Sequence, residues 1–245
     1  MIISTYLGIF LAVVSVIFAI IVEGAHLGSF FKFSALILIL GGTFGATFAS
    51  FSIKQIQGLF ELLKVLLNRN KPSDFLDIFI KLSDKTRRDG LLSLEDEIDS
   101  IDSELARKGL RLIVDGTDPS TVEEILFEWS DGKEEQEIIS AKIVETAAGF
   151  CPTIGIIGTV MGLVHVLENL GAGTAALGQG IATAFIATFY GIGFANIFFL
   201  PLANKIKAYS KTENETRHGI IRGLLAIMSG DNKRIMLERM SPFME

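Results

Sequence analysis

Four stretches of this 245-residue chain carry no Asp, Glu, Lys or Arg: residues 1–22, 33–53, 146–167 and 169–204. A helix needs about 20 apolar residues to cross the hydrocarbon core of a bilayer. A helix of a soluble domain keeps one polar face instead. Each stretch is long enough to cross and none has a charged face, so four transmembrane helices are expected. The rest of the chain has the opposite character. Mean hydropathy is +0.47 although 20% of residues are charged, so charge is confined to an insert between the second and third stretches and a tail after the fourth.

Orientation follows from the cations. Of the 22 Lys and Arg, 13 lie between Lys54 and Lys142 and eight between Lys205 and Arg239, while Lys32 is alone on the other side. Cations stay in the cytoplasm, so the insert, the tail and both termini are expected inside, with connections 23–29 and 169–177 outside. The expected fold class is an all-α integral membrane protein, with four transmembrane helices and a helical cytoplasmic domain between spans 2 and 3. Spans 1 and 2 occupy 1–52, the insert 53–141, spans 3 and 4 142–203, and the helical tail 204–245. No Lys or Arg precedes the first run and no small-residue cleavage motif follows it, so it is expected to be a permanent span rather than a signal peptide. The single thiol, Cys151, lies in a span, so disulfides play no part. A net charge of −6 argues against nucleic acid as a partner.

Within the insert, Ile53, Ile56, Leu59, Phe60, Leu63, Leu66 and Leu67 recur at helical spacing with Lys54, Glu61 and Lys64 between them. A helix over 53–68 is expected to run out of span 2 along the membrane surface. Lys71-Pro72-Ser73-Asp74 reads as a stop and N-cap before a helix over 74–87. Gly90 ends that helix, and Ser93-Leu94-Glu95-Asp96 reads as the start of another through Lys108. A further helix is expected over 120–130, broken at Gly132, with a new one running from Glu134 into span 3. The tail over 203–228 continues span 4, and the residues beyond Gly230 are expected to be loose.

Spans 3 and 4 each carry a stripe of small residues with a hydroxyl in its middle. In span 3, Gly155, Thr159 and Gly162 share a face and Gly158 lies beside it; in span 4, Ala184, Thr188, Gly191 and Ala195 do the same. Phe185, Phe189, Ile192 and Phe199 make the opposite, lipid-suited side of span 4. Small stripes let helix backbones approach closely, which is one reading. The other is that the stripes line a polar path. At 1.5 Å per residue, Thr159 and Thr188 both sit roughly 20 Å in from the inner ends of their spans, at mid-bilayer. None of the four charge-free stretches contains an Asp or Glu, Glu145 and Glu168 lying only at their edges, yet ion-driven membrane machines carry an ionisable group at that depth. If this chain moves ions, a second chain must supply the carboxylate. Pro152 and Pro201, near the inner ends of the same spans, each remove a backbone hydrogen bond and bend the helix, and are candidate hinges.

The sequence Pro152-x-x-Gly155-x-x-Gly158-Thr159-Val160-Met161-Gly162 resembles the third span of the four-span stator proteins of the bacterial flagellar motor, the MotA/PomA family. Thr188-Phe189-Tyr190-Gly191 and Pro201-Leu202-Ala203 resemble its fourth. Arg87-Arg88-Asp89-Gly90-Leu91-Leu92-Ser93-Leu94-Glu95 is similar to its rotor-facing segment. The resemblance implies a bacterial inner-membrane protein, not an enzyme, with no catalytic residues, cofactor or fixed metal. It implies five copies around two copies of a single-span partner, MotB or PomB, which supplies the ion-binding Asp and anchors to peptidoglycan. Arg87 and Glu95 would face the rotor protein FliG, Thr159 and Thr188 would flank the path of H⁺ or Na⁺, and Pro152 and Pro201 would couple the two. Proton-type members often have Ala where this chain has Thr159, which leans towards Na⁺, held transiently near Thr159 and Thr188. Two other readings stay open: a TolQ/ExbB-type energiser of outer-membrane processes, whose family has one span before its insert, and a non-motor membrane scaffold in which the stripes serve assembly alone.

Overall fold

The computed structural model describes residues 2–67, 75–169 and 174–243. Among them are nine α-helices and no strand: α1 (Ile2–Val22), α2 (Phe33–Ser50), α3 (Ile53–Leu67), α4 (Phe75–Asp89), α5 (Glu104–Val114), α6 (Pro119–Glu168), α7 (Thr174–Gly193), α8 (Leu200–Met228) and α9 (Lys233–Met240). Four helical runs are long and apolar enough to cross a membrane: Ser4–Val22, Leu27–Ser50, Pro119–Glu168 and Leu177–Met228. The expected start signal at Lys71–Asp74 lies outside the described residues.

The chain divides into two compact units. The first comprises residues 1–68 and 137–207, the second 69–136 and 208–245. The α3 helix therefore groups with the apolar helices, and the tail shares a core with the insert. In the first unit, α3 is separated from α2 by a capping box: the Ser52 N–H donates to Gln55 Oε1 at 2.9 Å, and the Gln55 N–H donates to Ser52 Oγ at 3.3 Å. Its Ile56, Leu59 and Leu62 are buried. Near the ends of the α6 and α8 segments of this unit, Lys207 pairs with Glu145 at 2.5 Å.

The second unit has a large aliphatic core: Phe79, Leu94, Leu105, Leu110, Ile113 and Leu126 from the insert, with Ile221, Leu224, Ile227, Met236 and Met240 from the tail. Three expectations give way here. Ser93 does not start a helix, because its hydroxyl donates back to Gly90 O at 2.6 Å. Residues Leu91–Ser100 form 3-10 turns instead, and the next α-helix starts where Ser103 accepts from the Ala106 N–H. Nor does Gly132 break α6. Polar ties to α8 hold the helix on either side of it: Ser130 Oγ donates to Asn214 Oδ1 at 2.8 Å, and Asn214 Nδ2 donates to Glu134 Oε2 at 2.7 Å. Tertiary contacts thus outweigh glycine's weak helix propensity. Beyond Gly230 the chain is not loose. Gly230 takes φ 67°, Asn232 caps α9, and Met236 and Met240 anchor that helix in the core with no exposed surface.

Between α7 and α8, Phe194–Phe199 form a π segment, ahead of Pro201. A π turn holds one residue more than an α turn and so rotates the downstream helix by about 100°. That rotation moves Phe199 off the expected lipid face. Its ring packs edge-on against Phe44 at 6.3 Å, whereas Phe185, Phe189 and Ile192 are exposed as expected. The Asn196 side chain donates to Ile192 O at 2.9 Å, partnering a carbonyl within the altered turn.

Candidate functional site

The two hydroxyls singled out from sequence meet. Thr159 Oγ1 and Thr188 Oγ1 share a very short hydrogen bond. Thr159 Oγ1 also lies 3.1 Å from the carbonyl oxygens of both Gly155 and Ala184, and Thr188 Oγ1 lies 3.5 Å from Gly155 O. Two hydroxyl and two carbonyl oxygens therefore converge with two hydrogens between them. Such a cluster satisfies its own hydrogen bonds, and hydroxyl and carbonyl oxygens are groups able to coordinate a cation.

The backbones approach this closely because the contact residues are small. A methyl on Gly155 would lie 3.1 Å from Ala187 O and 3.2 Å from Thr188 Cα; one on Gly162 would lie 2.7 Å from Ala184 Cβ. A methyl on Gly158 would meet Ala187 Cβ at 2.7 Å and Leu38 at 2.9 Å, and one on Gly191 would lie 2.6 Å from Cys151 O and 3.1 Å from Pro152 Cα. Ala184 and Ala195 are buried, Ala195 in a cluster with Ile39, Ala148, Cys151 and Ile154. The α6 helix runs through Pro152 without interruption, and Pro201 follows the π segment at the start of α8.

Contacts with α2 fix the level of the pair. Gly158 faces Leu38, and Gly42 faces Ile154. Thr159 therefore lies about one turn from the Phe33 end of α2 and about three and a half turns from its Ser50 end. The pair is off-centre along α2 rather than midway, because α6 and α7 run on past the α1–α2 connection. Counted from the insert end, the distance of roughly 20 Å still holds.

Arg87 and Glu95 are both exposed. Arg87 sits in the last turn of α4, in a shallow concavity with Asp84 and Arg88. Glu95 sits in the 3-10 turns just after it. Gly90 joins the two at φ 84°, a left-handed conformation that favours glycine. Beside them Lys85 pairs with Glu97 at 2.6 Å, tying α4 to those turns. That hydrogen bond holds the Lys85 ammonium above its ordinary value of 10.5. Among the described residues no group of His, Cys, Asp and Glu side chains could hold a metal.

Two polar residues of the apolar unit carry structure that their sequence pattern left without a role. Asn196 serves the π segment, and Tyr190 reaches back to the α1–α2 connection. Their common signal was available: each is polar within a charge-free run.

Fold and site together define a four-span helical membrane protein whose third and fourth spans pack through small residues around paired hydroxyls. Residues 97–218 match the model of the MotA/TolQ/ExbB proton channel family. A motility protein A of Borreliella burgdorferi is 34% identical over 89% of this chain and 84% of that relative's length. The structure of C. jejuni MotAB superposes with a TM-score of 0.93 at 27% identity, covering 100% of this chain and 96% of that one. The flagellar MotAB stator complex of Bacillus subtilis gives 0.90 at 29% identity, over 99% and 96%. The chain belongs to the motility protein A family of flagellar stator proteins.

Proposed function

We propose that the chain is the ion-driven stator protein of a bacterial flagellar motor, lying in the inner membrane with both termini, the insert and the tail in the cytoplasm. With a MotB/PomB-type single-span partner it couples ion flow to torque on the rotor. The observation that carries this reading is the likeness to two MotAB structures over essentially the whole chain. The composition of the spans supports it. The converging oxygens at Thr159 and Thr188 are polar but carry no charge, and the charge-free stretches around them hold no carboxylate, so the partner's Asp completes the path. Five copies surround two of the partner, Pro152 and Pro201 transmit motion between path and cytoplasmic helices, and exposed Arg87 and Glu95 engage charges on FliG. The coupling ion is H⁺ or Na⁺. Thr159 favours Na⁺, since a hydroxyl oxygen replaces one water of a dehydrated ion, whereas a proton needs only the carboxylate.

The test is complementation. Expressed with its partner in a cell lacking stators, the chain should restore swimming and purify as a complex holding several copies. Arg87→Glu or Glu95→Lys should weaken swimming while complex yield and ion conduction stay at the parental level. A compensating reversal on the rotor protein should restore part of it, because such pairs act through sign complementarity. Unchanged swimming in both variants would remove the assigned rotor contact. A fully active monomer would remove the stator reading itself.

A further inference from the structure

The α2 helix begins at Phe33 with no side-chain cap from Lys32. The Lys32 N–H donates instead to the phenol oxygen of Tyr190 at 3.2 Å, and that phenol donates to Phe30 O at 2.5 Å. One hydroxyl thus serves two backbone groups of the α1–α2 connection. Beside it, the Phe30 ring packs edge-on against Phe189 at 5.7 Å. Peptide groups left unpaired beside hydrocarbon are costly, so the connection is strongly tied to α7 at these two adjacent residues.

Tyr190 follows Thr188 by two positions. At 100° per residue their side chains leave α7 about 200° apart. Thr188 projects towards Thr159 on α6, and Tyr190 projects towards the connection. A turn of α7 about its own axis that withdraws Thr188 from Thr159 must therefore carry Tyr190 away from Phe30 and Lys32. We propose that Tyr190 is a positioning residue for the ion path: its two hydrogen bonds to the α1–α2 connection set the rotation of α7 at which the Thr159 and Thr188 hydroxyls meet. Tyr190 forms a hydrogen bond with neither hydroxyl, so it acts through the helix. This rests on the reading that the two threonines flank the path.

The experiment uses the whole stator with its partner. Motor speed is measured against Na⁺ at fixed pH, and against pH at fixed Na⁺, for the parent, Tyr190→Phe and Thr188→Ala. Tyr190→Phe keeps the ring and removes only the hydroxyl. It should assemble at parental abundance and displace the half-saturating concentration of the coupling ion by about two- to tenfold, the range expected for one net hydrogen bond. A displaced Thr188→Ala curve with a Tyr190→Phe curve lying on the parent's overturns the positioning role and leaves the path reading standing. A Thr188→Ala curve on the parent's overturns both. If Tyr190→Phe does not assemble, hydrogen exchange at the Lys32 amide of the unmodified complex decides. Coupling between the two places requires its protection to change between zero and saturating ion. Identical exchange rates overturn the proposal.

Discussion

Gly155, Gly158, Gly162, Ala184 and Gly191 make the contact between α6 and α7, while Phe79, Leu94, Leu126, Leu224 and Met236 fill the core of the second unit. In the first unit the large side chains point outward: Ile156, Ile157, Val160, Met161 and Phe185 are all more than half exposed. In the second they point inward, and Arg87, Arg88 and Glu95 cover the surface. Burial of large apolar groups drives association in water, whereas in lipid the tails are as apolar as leucine and close packing has to serve instead. The same composition rule, large apolar residues in the apolar place, therefore yields opposite architectures in one chain.

The comparison is most exposed at Gly191. Gly191→Val puts side-chain atoms where Cys151 O already stands, so α6 and α7 must separate; complex yield and swimming should both be lost. Normal assembly of this variant would show that small residues do not determine the contact. Leu224→Ala probes the other solution. It empties a fully buried site, for which losses of about 2–5 kcal/mol are typical. The same change at exposed Leu167 should cost far less, as thermal unfolding of the purified complex would show. Equal losses would erase the distinction between the two units. Thr159→Ala tests the hydroxyls inside the small-residue contact. Losing one buried coordinating oxygen costs about 1–3 kcal/mol, or roughly a 5- to 150-fold weaker site. The Na⁺ concentration for half-maximal speed should rise at least several-fold, with Thr159→Ser nearly silent. Rotation that ignores Na⁺ and stops with a protonophore would mark a proton-driven motor and leave Thr159 to packing.

The smallest effect belongs to a cap. Hydrogen bonds from the side chains of Ser120 and then Thr121 hold the Asp118 carboxyl down to about 2 from 3.8. Its folded value is the lower one, so its contribution is complete above about pH 4 and disappears as pH falls through about 2. Asp118→Asn should flatten that acid response of the first turn of α6, read by hydrogen exchange between those pH values. An unaltered response would mean that another group governs it.

Much of this was legible in the residues. Charge-free runs sufficed for the spans, because a lipid-crossing helix is a matter of composition and length. Small residues at helical spacing pointed to the α6–α7 contact, and the helix expected over 120–130 matches the first part of α6. The illegible parts depended on distant partners. Ser93 and Ser103 look alike as caps until Gly90 O claims the first hydroxyl. Gly132 looks like a break until Asn214 ties to Ser130 and Glu134, 84 and 80 residues away. The α9 helix looks like a fraying tail until Met236 and Met240 meet Phe79 and its neighbours. Tyr190 and Asn196 were visible as polar residues among apolar ones, but the bonds that give them roles lie across the fold or in a turn whose phase no periodicity reveals.

That turn, Phe194–Phe199, has a bearing on how this span tolerates changes of length. Deleting one residue from an α-helix swings everything downstream by about 100°, which here would pull Ala203 and Ile206, both fully buried, out of their packing. The π segment already holds a spare residue. Removing one position there would let the helix close into ordinary α turns with the faces on both sides left where they were. The six residues are a length buffer: within this span, a one-residue deletion should be survivable there and ruinous a few positions to either side.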